Sequence, residues 1–497
     1  MMDHAVINNM FSSAPPKSTR LNDLPTDARL PQLPIILDVG VMRDKFRDYL
    51  FASASDRTQF VVRQCEIIQI RYKPAASCMV SYRLDIEDTS TGERGEHIVC
   101  GRAFPAGCSR SQWEKAGARA LVQPRFRNPL IHLPDIEMVL WSFPNDRKMH
   151  TLPATMQLAQ STPGRLSQWF LAHLGTEWQV VNTHSRVVHY VGEHTCTVRT
   201  SVELLNTAQQ TRQTMSIFGK TYYDDEGAQT DRIMRQLWNS RSRQSGQLRI
   251  AQPLWYDARL KMLWQLGIPG TTLECCAIES PERVSFLLAE AAQAIAALHA
   301  TPLSKIRSVT VADLVINLEA VGSMLNRVRP SCRPILVPLL SRLTAQAEMI
   351  KGHGTATLHG DLHLKNLFLT NGKIALIDLD NVCEGPPGWD IGSFTAGLLT
   401  GTLAKHLSLS RIASHVQTFL GHYHQSVTWK VDQPVVAWFT AVALVIERSH
   451  RCITRLKDNQ RGQVEDLLKL ADKISEALSL EPLVDGWIQT DERSRQP

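Results

Sequence analysis

The sequence predicts an α+β protein in which the sheets come first and most of the helices come later. Alternating apolar and polar residues, typical of half-buried strands, dominate the chain between about residues 59 and 275, whereas Ala- and Leu-rich segments with helical spacing dominate after about residue 280. The order of strand-like and helix-like segments also occurs twice in the sheet-rich part. Sheets and helices that are separated along the chain are typical of α+β organisation.

The pattern divides the chain into five segments. Residues 1–58 are predicted to be a flexible tail rich in Ser, Pro, Asn and Asp that ends in a short amphipathic helix, DVGVMRDKFRDYLF. We then expect a first set of strands over 59–152, a helical connector over 153–176, a second set of strands over 177–275 and a helical part over 276–497.

Composition and charge exclude several classes of protein. Of the 497 residues, 43% are hydrophobic and 21% are charged, which is typical of a globular protein and not of a disordered chain. The net charge of +6 is spread along the chain, so we predict no nucleic-acid partner. The longest apolar run, 437–446, has half the length of a membrane-spanning helix, and no signal peptide opens the chain; we therefore predict no membrane partner and a cytoplasmic location. The ten cysteines contain no CxxC pair, which argues against structural zinc.

The two sets of strands are predicted to be copies of one unit. At an offset of 118 residues, four identities fall in one register: Tyr72 with Tyr190, Cys78 with Cys196, Val80 with Val198, and Gly101 with Gly219. Chance similarity between two unrelated antiparallel sheets is the alternative. The shared order of elements leads us to favour duplication.

One segment interrupts the helical part and carries the residues that indicate chemistry. It contains the motif HGDxxxxN, which includes His359, Asp361 and Asn366, followed by two strand-like runs around Asn371–Gly372, the second of which ends at Asp378. Because Asn-Gly between strands predicts a tight hairpin, these side chains are expected near one end of it. Phosphoryl transfer from a nucleotide requires such a set, with one carboxylate for the proton of the attacking hydroxyl and hard oxygen ligands for Mg²⁺.

The motifs HGDLHLKN, ALIDLD and GWDIGSF resemble those of the aminoglycoside phosphotransferase-like family of small-molecule kinases. The resemblance covers roughly residues 177–480. It implies a two-lobed protein-kinase-like fold, in which a sheet-rich small lobe binds ATP and a helical large lobe holds the hydroxyl acceptor. The roles that it implies are these: Asp361 is the catalytic base, His359 orients the catalytic loop, His363 supports it, Asn366 and Asp378 hold Mg²⁺, and Asp390 is the structural Asp below the loop. Asp380 is the rival of Asp378 for the metal, but Asp378 has the family's position.

The resemblance also places the nucleotide on the second set of strands. Lys220 matches the family's lysine that holds the α- and β-phosphates, and the backbone of Gln265, Leu266 and Gly267 is expected to face adenine. The sequence GKT around Lys220 also ends a P-loop motif, but the leading glycine of that motif would be residue 214, which is Thr214. A surface lysine without a role is the remaining alternative.

The sequence departs from the family pattern in its glycine-rich loop and in the acidic partner of the lysine. Only Gly192 lies in the turn between the first two strands of the second copy, and the partner acid is open, since Glu226 precedes the predicted helix and Asp231 lies within it. In the first copy Arg102 has the position of the lysine, and arginine is no simple substitute for lysine at a tightly shaped site. Residues 59–152 are therefore interpreted as a degenerate small lobe that serves as a lid, a surface for homodimer formation or a regulatory sensor.

The charge balance of the helical part bears on the acceptor. Basic residues outnumber acidic ones over 302–358 and 391–460, which argues against a polycationic antibiotic and favours a neutral or anionic hydroxyl compound such as a sugar. The function that we predict is an ATP- and Mg²⁺-dependent small-molecule kinase. The alternative is a catalytically silent nucleotide- or metabolite-binding regulatory protein, whereas a protein kinase is disfavoured because its glycine-rich loop and activation segment are not evident.

Overall fold

The computed structural model describes residues 24–51, 53–126, 128–160, 168–169, 172, 174–350, 354–401, 403–456 and 463–480. These residues form two compact units. The first unit contains residues up to 227 together with 256–264 and 454–456, and the second contains 228–255, 265–453 and 463–480. The tail predicted for residues 1–23 and most of the connector predicted after residue 160 lie outside the described residues.

The first five-stranded sheet follows three short helices. The helices are α1 (Leu33–Ile36), α2 (Val39–Tyr49) and α3 (Ala54–Gln59). The strands are β1 (Phe60–Lys73), β2 (Ser77–Asp88), β3 (Arg94–Ala103), β4 (Leu130–Leu133) and β5 (Met138–Ser142), with helix α4 (Ser109–Gly117) between β3 and β4. The spatial order is β1-β2-β3-β5-β4, and the pairs are antiparallel.

The second sheet repeats this arrangement after helix α5 (Leu152–Gln160). Its strands are β6 (Trp178–Val191), β7 (Thr195–Asn206), β8 (Thr211–Tyr222), β9 (Pro253–Asp257) and β10 (Met262–Leu266), with helices α6 (Glu226–Trp238) and α7 (Arg241–Gln244) between β8 and β9. The order β6-β7-β8-β10-β9 is that of the first sheet.

Local details confirm that the two sheets are copies. The first strand of each carries a bulge at the same place, between Val62 and Gln64 in one sheet and between Val180 and Asn182 in the other. The aligned glycines Gly101 and Gly219 each leave room for a methionine side chain of the neighbouring strand. A β-carbon at Gly101 would overlap a methionine on β5, and one at Gly219 would overlap a methionine on β10. The identities at an offset of 118 therefore reflect equivalent packing.

The second unit is mainly helical, so the predicted α+β organisation is confirmed. Its helices are α8 (Leu273–Glu279), α9 (Val284–His299), α10 (Val311–Val328), α11 (Arg333–Ile350), α12 (Gly388–Thr400), α13 (Leu409–Ser426), α14 (Gln433–Ala443), a π-helical turn (Leu444–Ser449), α15 (His450–Arg455) and α16 (Val464–Ala477). Helices α12 and α14 pack closely in the core because Gly388 and Gly392 leave room for the side chain and backbone of Phe439. No helix in the described part of the chain is long and apolar enough to cross a membrane.

Short strands interrupt the helices where the motif lies. Strands β13 (Leu367–Thr370) and β14 (Lys373–Leu376) form the predicted hairpin, and β13 also pairs with β11 (Thr271–Thr272), while β12 (Ala356–Leu358) pairs with β15 (Cys383–Gly385). Asn371 and Gly372 both have positive φ, 49° and 72°, as a tight two-residue turn requires. The loop between β12 and β13 contains the HGD motif.

Candidate active site

The loop that carries the HGD motif is held by a buried carboxylate. Asp390, in the first turn of α12, accepts hydrogen bonds from the backbone N–H groups of His359 (2.6 Å) and Gly360 (3.0 Å). Gly360 has φ of 77°, and a β-carbon there would overlap the carbonyl oxygen of Asn381, so this position requires glycine. The carboxylate therefore fixes the backbone on which Asp361 stands.

A buried histidine completes the anchor. His299 Nε2 lies 3.1 Å from Asp390 Oδ2, and His299 Nδ1 lies 2.8 Å from the hydroxyl of Tyr423. Burial alone would raise the pKa of Asp390, but the hydrogen bonds from His299 and from the loop outweigh burial and lower this pKa. The ionised form of Asp390 is the one that accepts from two backbone donors, so the anchor is stable at neutral pH.

His359 ties the loop to the strand that precedes Asp378. Its Nε2 lies 2.9 Å from the carbonyl oxygen of Ile377, and a carbonyl can only accept, so Nε2 carries the proton. The ring is fully buried. This contact joins the catalytic loop to the end of the β13–β14 hairpin.

Asn366 and Asp378 flank that hairpin, Asn366 directly before β13 and Asp378 two residues after β14. The amide nitrogen of Asn366 donates to the carbonyl oxygen of Asp361 (2.9 Å), which turns its Oδ1 the other way, and the backbone N–H of Ile377 donates to the carbonyl oxygen of Asn366 (3.0 Å). Asp378 is exposed and has left-handed backbone, φ 59° and ψ 60°. An amide oxygen and a carboxylate are hard oxygen donors of the kind that Mg²⁺ binds, and Mg²⁺ commonly uses one or two carboxylates and keeps its other positions for phosphate and water.

Asp380, the rival of Asp378 for the metal, has a contact with helix α6. It accepts a hydrogen bond from the hydroxyl of Thr230 (3.3 Å). No group of three or more His, Cys, Asp or Glu side chains that could hold a metal ion occurs within the residues described by the structure.

Asp361, the predicted base, has a cationic neighbour that the motif does not reveal. Arg451 Nη2 lies 3.3 Å from Asp361 Oδ1, and His363 Nε2 lies 3.8 Å from Asp361 Oδ2. Burial lowers the pKa of His363, although the charge of Asp361 raises it in part. His363 is therefore neutral at pH 7, and Arg451 is the positive charge beside the carboxylate.

A π-helical turn at 444–449 brings further charge to this region. Glu447 accepts a hydrogen bond from the hydroxyl of Ser393 (2.9 Å), and Arg448 Nη2 donates to the backbone oxygen of Ser393 (3.2 Å). Burial raises the pKa of Glu447 and lowers the pKa of Arg448, because both charged forms are desolvated. Such π-helical turns are frequent at functional sites, since the extra residue per turn redirects the side chains that follow.

The predicted nucleotide-binding residues lie on the second sheet. Lys220, on β8, is half-buried and pairs in register with Thr197 of β7, and its Nζ lies 5.6 Å from the centre of the Tyr222 ring. Helix α6 begins at Glu226, so this residue is helical and does not precede the helix as predicted. Asp231 forms an ion pair with Arg235 (2.9 Å).

The expected adenine-facing segment follows β10. Leu266, the last residue of that strand, donates its N–H to the carbonyl oxygen of Gln252 (2.9 Å), so this N–H serves the backbone of the sheet. The other backbone groups of Gln265, Leu266 and Gly267 remain the ones predicted to face adenine.

Comparison with known families agrees with the motif. Residues 206–407 match the model of the phosphotransferase enzyme family, and residues 342–485 match a model described as an uncharacterized protein conserved in bacteria. A curated relative, methylthioribose kinase from Geobacillus sp. (strain WCH70), is 31% identical over 115 residues, which are 23% of this chain and 24% of the relative. The chain thus matches about a quarter of the length of that relative. The predicted resemblance to a phosphotransferase family is confirmed for residues 206–407.

Solved structures of small-molecule kinases are also similar to this chain. Aminoglycoside phosphotransferase APH(4)-Ia is 13% identical with a TM-score of 0.44, and the match covers 64% of this chain and 99% of that one. An aminoglycoside phosphotransferase from Ralstonia eutropha is 14% identical with a TM-score of 0.42, covering 63% and 97%. A choline/ethanolamine kinase family protein from Mesorhizobium loti is 13% identical with a TM-score of 0.39, covering 55% and 90%.

Proposed function

From the match of residues 206–407 to the phosphotransferase enzyme family, we propose that this chain is a kinase that transfers the γ-phosphoryl group of ATP to a hydroxyl group of a small molecule. One observation carries the proposal: Asp390 and His359 fix the loop on which Asp361 stands, and the amide of Asn366 is bonded to the backbone of Asp361. A base on this loop, with hard oxygen ligands at Asn366 and Asp378 on either side of the following hairpin, is what this reaction requires from the large lobe.

In the proposed reaction, the acceptor oxygen attacks the γ-phosphorus while the bond between this phosphorus and the β–γ bridging oxygen breaks. Asp361 takes the proton of the acceptor hydroxyl, and ADP leaves. Asn366 and Asp378 hold Mg²⁺, which when bound neutralises charge on the phosphates. Lys220, on the second sheet, contacts the phosphates, and the backbone of Gln265, Leu266 and Gly267 binds adenine.

The acceptor is proposed to be neutral or anionic, such as a sugar or a sugar acid. Arg451 lies beside Asp361, and the buried Arg448 belongs to the same short segment of chain. Two guanidinium groups near the base would repel a polycationic aminoglycoside, whereas they can donate hydrogen bonds to hydroxyl or carboxylate oxygens. The methylthioribose kinase among the relatives has a name that indicates a sugar-like acceptor, which agrees with this class.

The experiment that tests the proposal is a measurement of Mg²⁺-dependent ADP release against a panel of sugars, sugar acids, amino alcohols and aminoglycosides. We expect release stimulated by a neutral or anionic member and lost in Asp361→Asn. A polycationic acceptor as the best substrate would contradict the acceptor class. Binding of ATP without turnover of any acceptor would favour the alternative of a catalytically silent regulatory protein.

Arg451→Gln gives a direct test of the acceptor class within this experiment. If Arg451 binds the acceptor, its removal raises the KM for the acceptor by about tenfold, the value of one charge-assisted hydrogen bond, and leaves the KM for ATP unchanged. Arg342→Gln is a matched control, because Arg342 forms a similar ion pair with Asp472 (2.8 Å). An unchanged acceptor KM in Arg451→Gln would contradict this role.

A further inference from the structure

The hairpin turns of the two sheets are built in the same way. In the first sheet, Asp27 Oδ2 accepts hydrogen bonds from the hydroxyl of Tyr72 (2.8 Å) and the N–H of Ala75 (2.7 Å) in the β1–β2 turn. In the second sheet, Asp146 Oδ2 accepts from the hydroxyl of Tyr190 (2.8 Å) and the N–H of Glu193 (2.9 Å) in the β6–β7 turn. The repeated unit thus includes a carboxylate that precedes each sheet and fixes its first turn.

The surroundings of the two turns differ. Residues 73–76 of the first turn are exposed or half-buried, whereas Val191, Gly192 and Glu193 of the second turn are buried. Gly192 lies directly on the first sheet, since a β-carbon there would overlap Sγ of Cys100 and would lie 3.3 Å from Oγ of Ser81. The second turn therefore packs against strands β2 and β3 of the first copy.

Two arginines bind the carboxylate of Glu193 in this contact. Arg102 contacts it through Nε (2.7 Å) and Nη2 (2.5 Å), and Arg147 contacts it through Nε (2.7 Å) and Nη2 (2.8 Å). The side chain of Glu193 is only 3% exposed and that of Arg102 only 12% exposed. Both arginines bind with parallel N–H donors, an arrangement that lysine cannot make.

This contact explains why the first copy carries arginine where the second carries lysine. Arg102 has the register position of Lys220, and Cys100, two residues earlier on the same strand, lies on the same face. In the first copy this face is covered by the turn of the second copy. A nucleotide cannot occupy the face, and Arg102 serves the contact between the copies.

The turn that is held in this way belongs to the same end of the second sheet as Lys220. Thr197, which pairs with Lys220, lies three residues after His194, the last residue of the turn. At about 3.3 Å per residue, the turn begins roughly 10 Å from the lysine's position along the strand. Movement of the turn would therefore change the space in which the phosphates bind.

We propose that the first sheet is a built-in clamp, in which Arg102 and Arg147 hold Glu193 and thereby fix the β6–β7 turn in the position that binds the nucleotide. Glu193 is a positioning residue in this arrangement. The effect on nucleotide affinity rests on the proposed function, whereas the clamp itself does not.

Arg102→Lys in the full-length chain tests the clamp, because it keeps the positive charge but introduces lysine, the residue that the second copy has at this position. Arg63→Lys is the matched control, since Arg63 forms a similar two-bond pair with Glu87 on an exposed part of the same sheet (2.9 and 3.2 Å). Amide hydrogen exchange over residues 191–195 should become about tenfold faster in Arg102→Lys and should not change in Arg63→Lys. Glu193→Gln should have the same effect, and if it fails to fold, Arg147→Lys takes its place.

Steady-state kinetics then test the consequence for the nucleotide. We expect the KM for ATP to rise by about three- to tenfold in Arg102→Lys, with kcat within about twofold of the wild type, because the turn positions the nucleotide without touching the reacting atoms.

Unchanged hydrogen exchange in both clamp variants would overturn the clamp. Faster exchange with an unchanged KM would overturn its link to the nucleotide. If the wild type binds no ATP, the proposed function fails, and hydrogen exchange still decides the clamp.

Discussion

The two sheets of the first unit have one order of strands but different surroundings. The β1–β2 turn of the first sheet is exposed or half-buried, and Arg102 of this sheet binds Glu193 of the second sheet. The β6–β7 turn of the second sheet is largely buried, and the half-buried Lys220 has the position equivalent to Arg102. The HGD loop, which the proposed reaction requires, occurs once in the sequence. The comparison shows that a duplicated sheet can keep its fold while its functional face becomes a packing surface.

Replacement of Asp361 in the HGD loop should reduce activity the most. Asp361→Asn should lower kcat by about 10³- to 10⁴-fold, because the amide cannot take the proton of the acceptor. The affinity for ATP, measured by calorimetry, should change little. A variant that retains more than a tenth of the activity would contradict the role of Asp361.

The equivalent cations of the two sheets should give opposite results when each is replaced by methionine. Lys220→Met should lower kcat/KM for ATP by about 100-fold, as expected for one charged contact with the phosphates. Arg102→Met should lower it by less than about tenfold and should destabilise the protein more, by about 2 kcal/mol, because it breaks a buried ion pair. Kinetics and chemical unfolding of both variants measure the contrast, and equal effects on activity would contradict the division of roles.

The clamp predicts a specific dependence of stability on pH. Burial would raise the pKa of Glu193, but the hydrogen bonds from Arg147 and Arg102 outweigh it and lower this pKa from 4.5 to about 2. A lowered pKa contributes stability that is complete above about pH 4.5 and is lost as the pH falls toward 2, in this case about 3 kcal/mol in total. Between pH 6 and pH 3 the urea midpoint should fall more steeply in the wild type than in Glu193→Gln. Parallel curves would contradict the ion pair.

The smallest effect tests the equivalence of the two copies. Gly101→Ala and Gly219→Ala should each destabilise the protein by about 1–3 kcal/mol, because each added methyl overlaps a methionine of the neighbouring strand. Thermal unfolding of the two variants should show similar losses. Gly421→Ala is the control: a β-carbon at Gly421 would meet open space, so the variant should be neutral or more stable than the wild type. Gly107 is unsuitable as a control because its positive φ would strain any other residue.

Much of the fold followed from local sequence. The strands of both copies, the Asn371–Gly372 hairpin and the helical second part all depend on hydrophobic period and turn residues, which are properties of neighbouring residues. The register of 118 residues also predicted that Gly101 and Gly219 are equivalent, as the structure confirms. The HGDxxxxN spacing was informative because its residues lie on one short loop, between β12 and β13.

Other residues of the site had no local signal. His299 ends an apolar helix and meets Asp390 from 91 residues away, and Arg451 lies 90 residues from Asp361. Neither residue belongs to a motif. The sequence shows only that each is a polar residue at or after the end of an apolar helical segment. The start of α6 at Glu226 was missed because an acidic residue in the first turn is typical both of a helix and of the loop before it.

The order of the strands and helices, the repeated sheet and the HGD loop could be predicted from the sequence, because each depends on spacing within a few dozen residues or on a repeated pattern. The contacts of Arg102 and Arg147 with Glu193, from 91 and 46 residues away, and the covered face of the first sheet became apparent in the folded structure. Burial of a charge is favourable only where partners converge on it, and this convergence depends on the packing of whole elements.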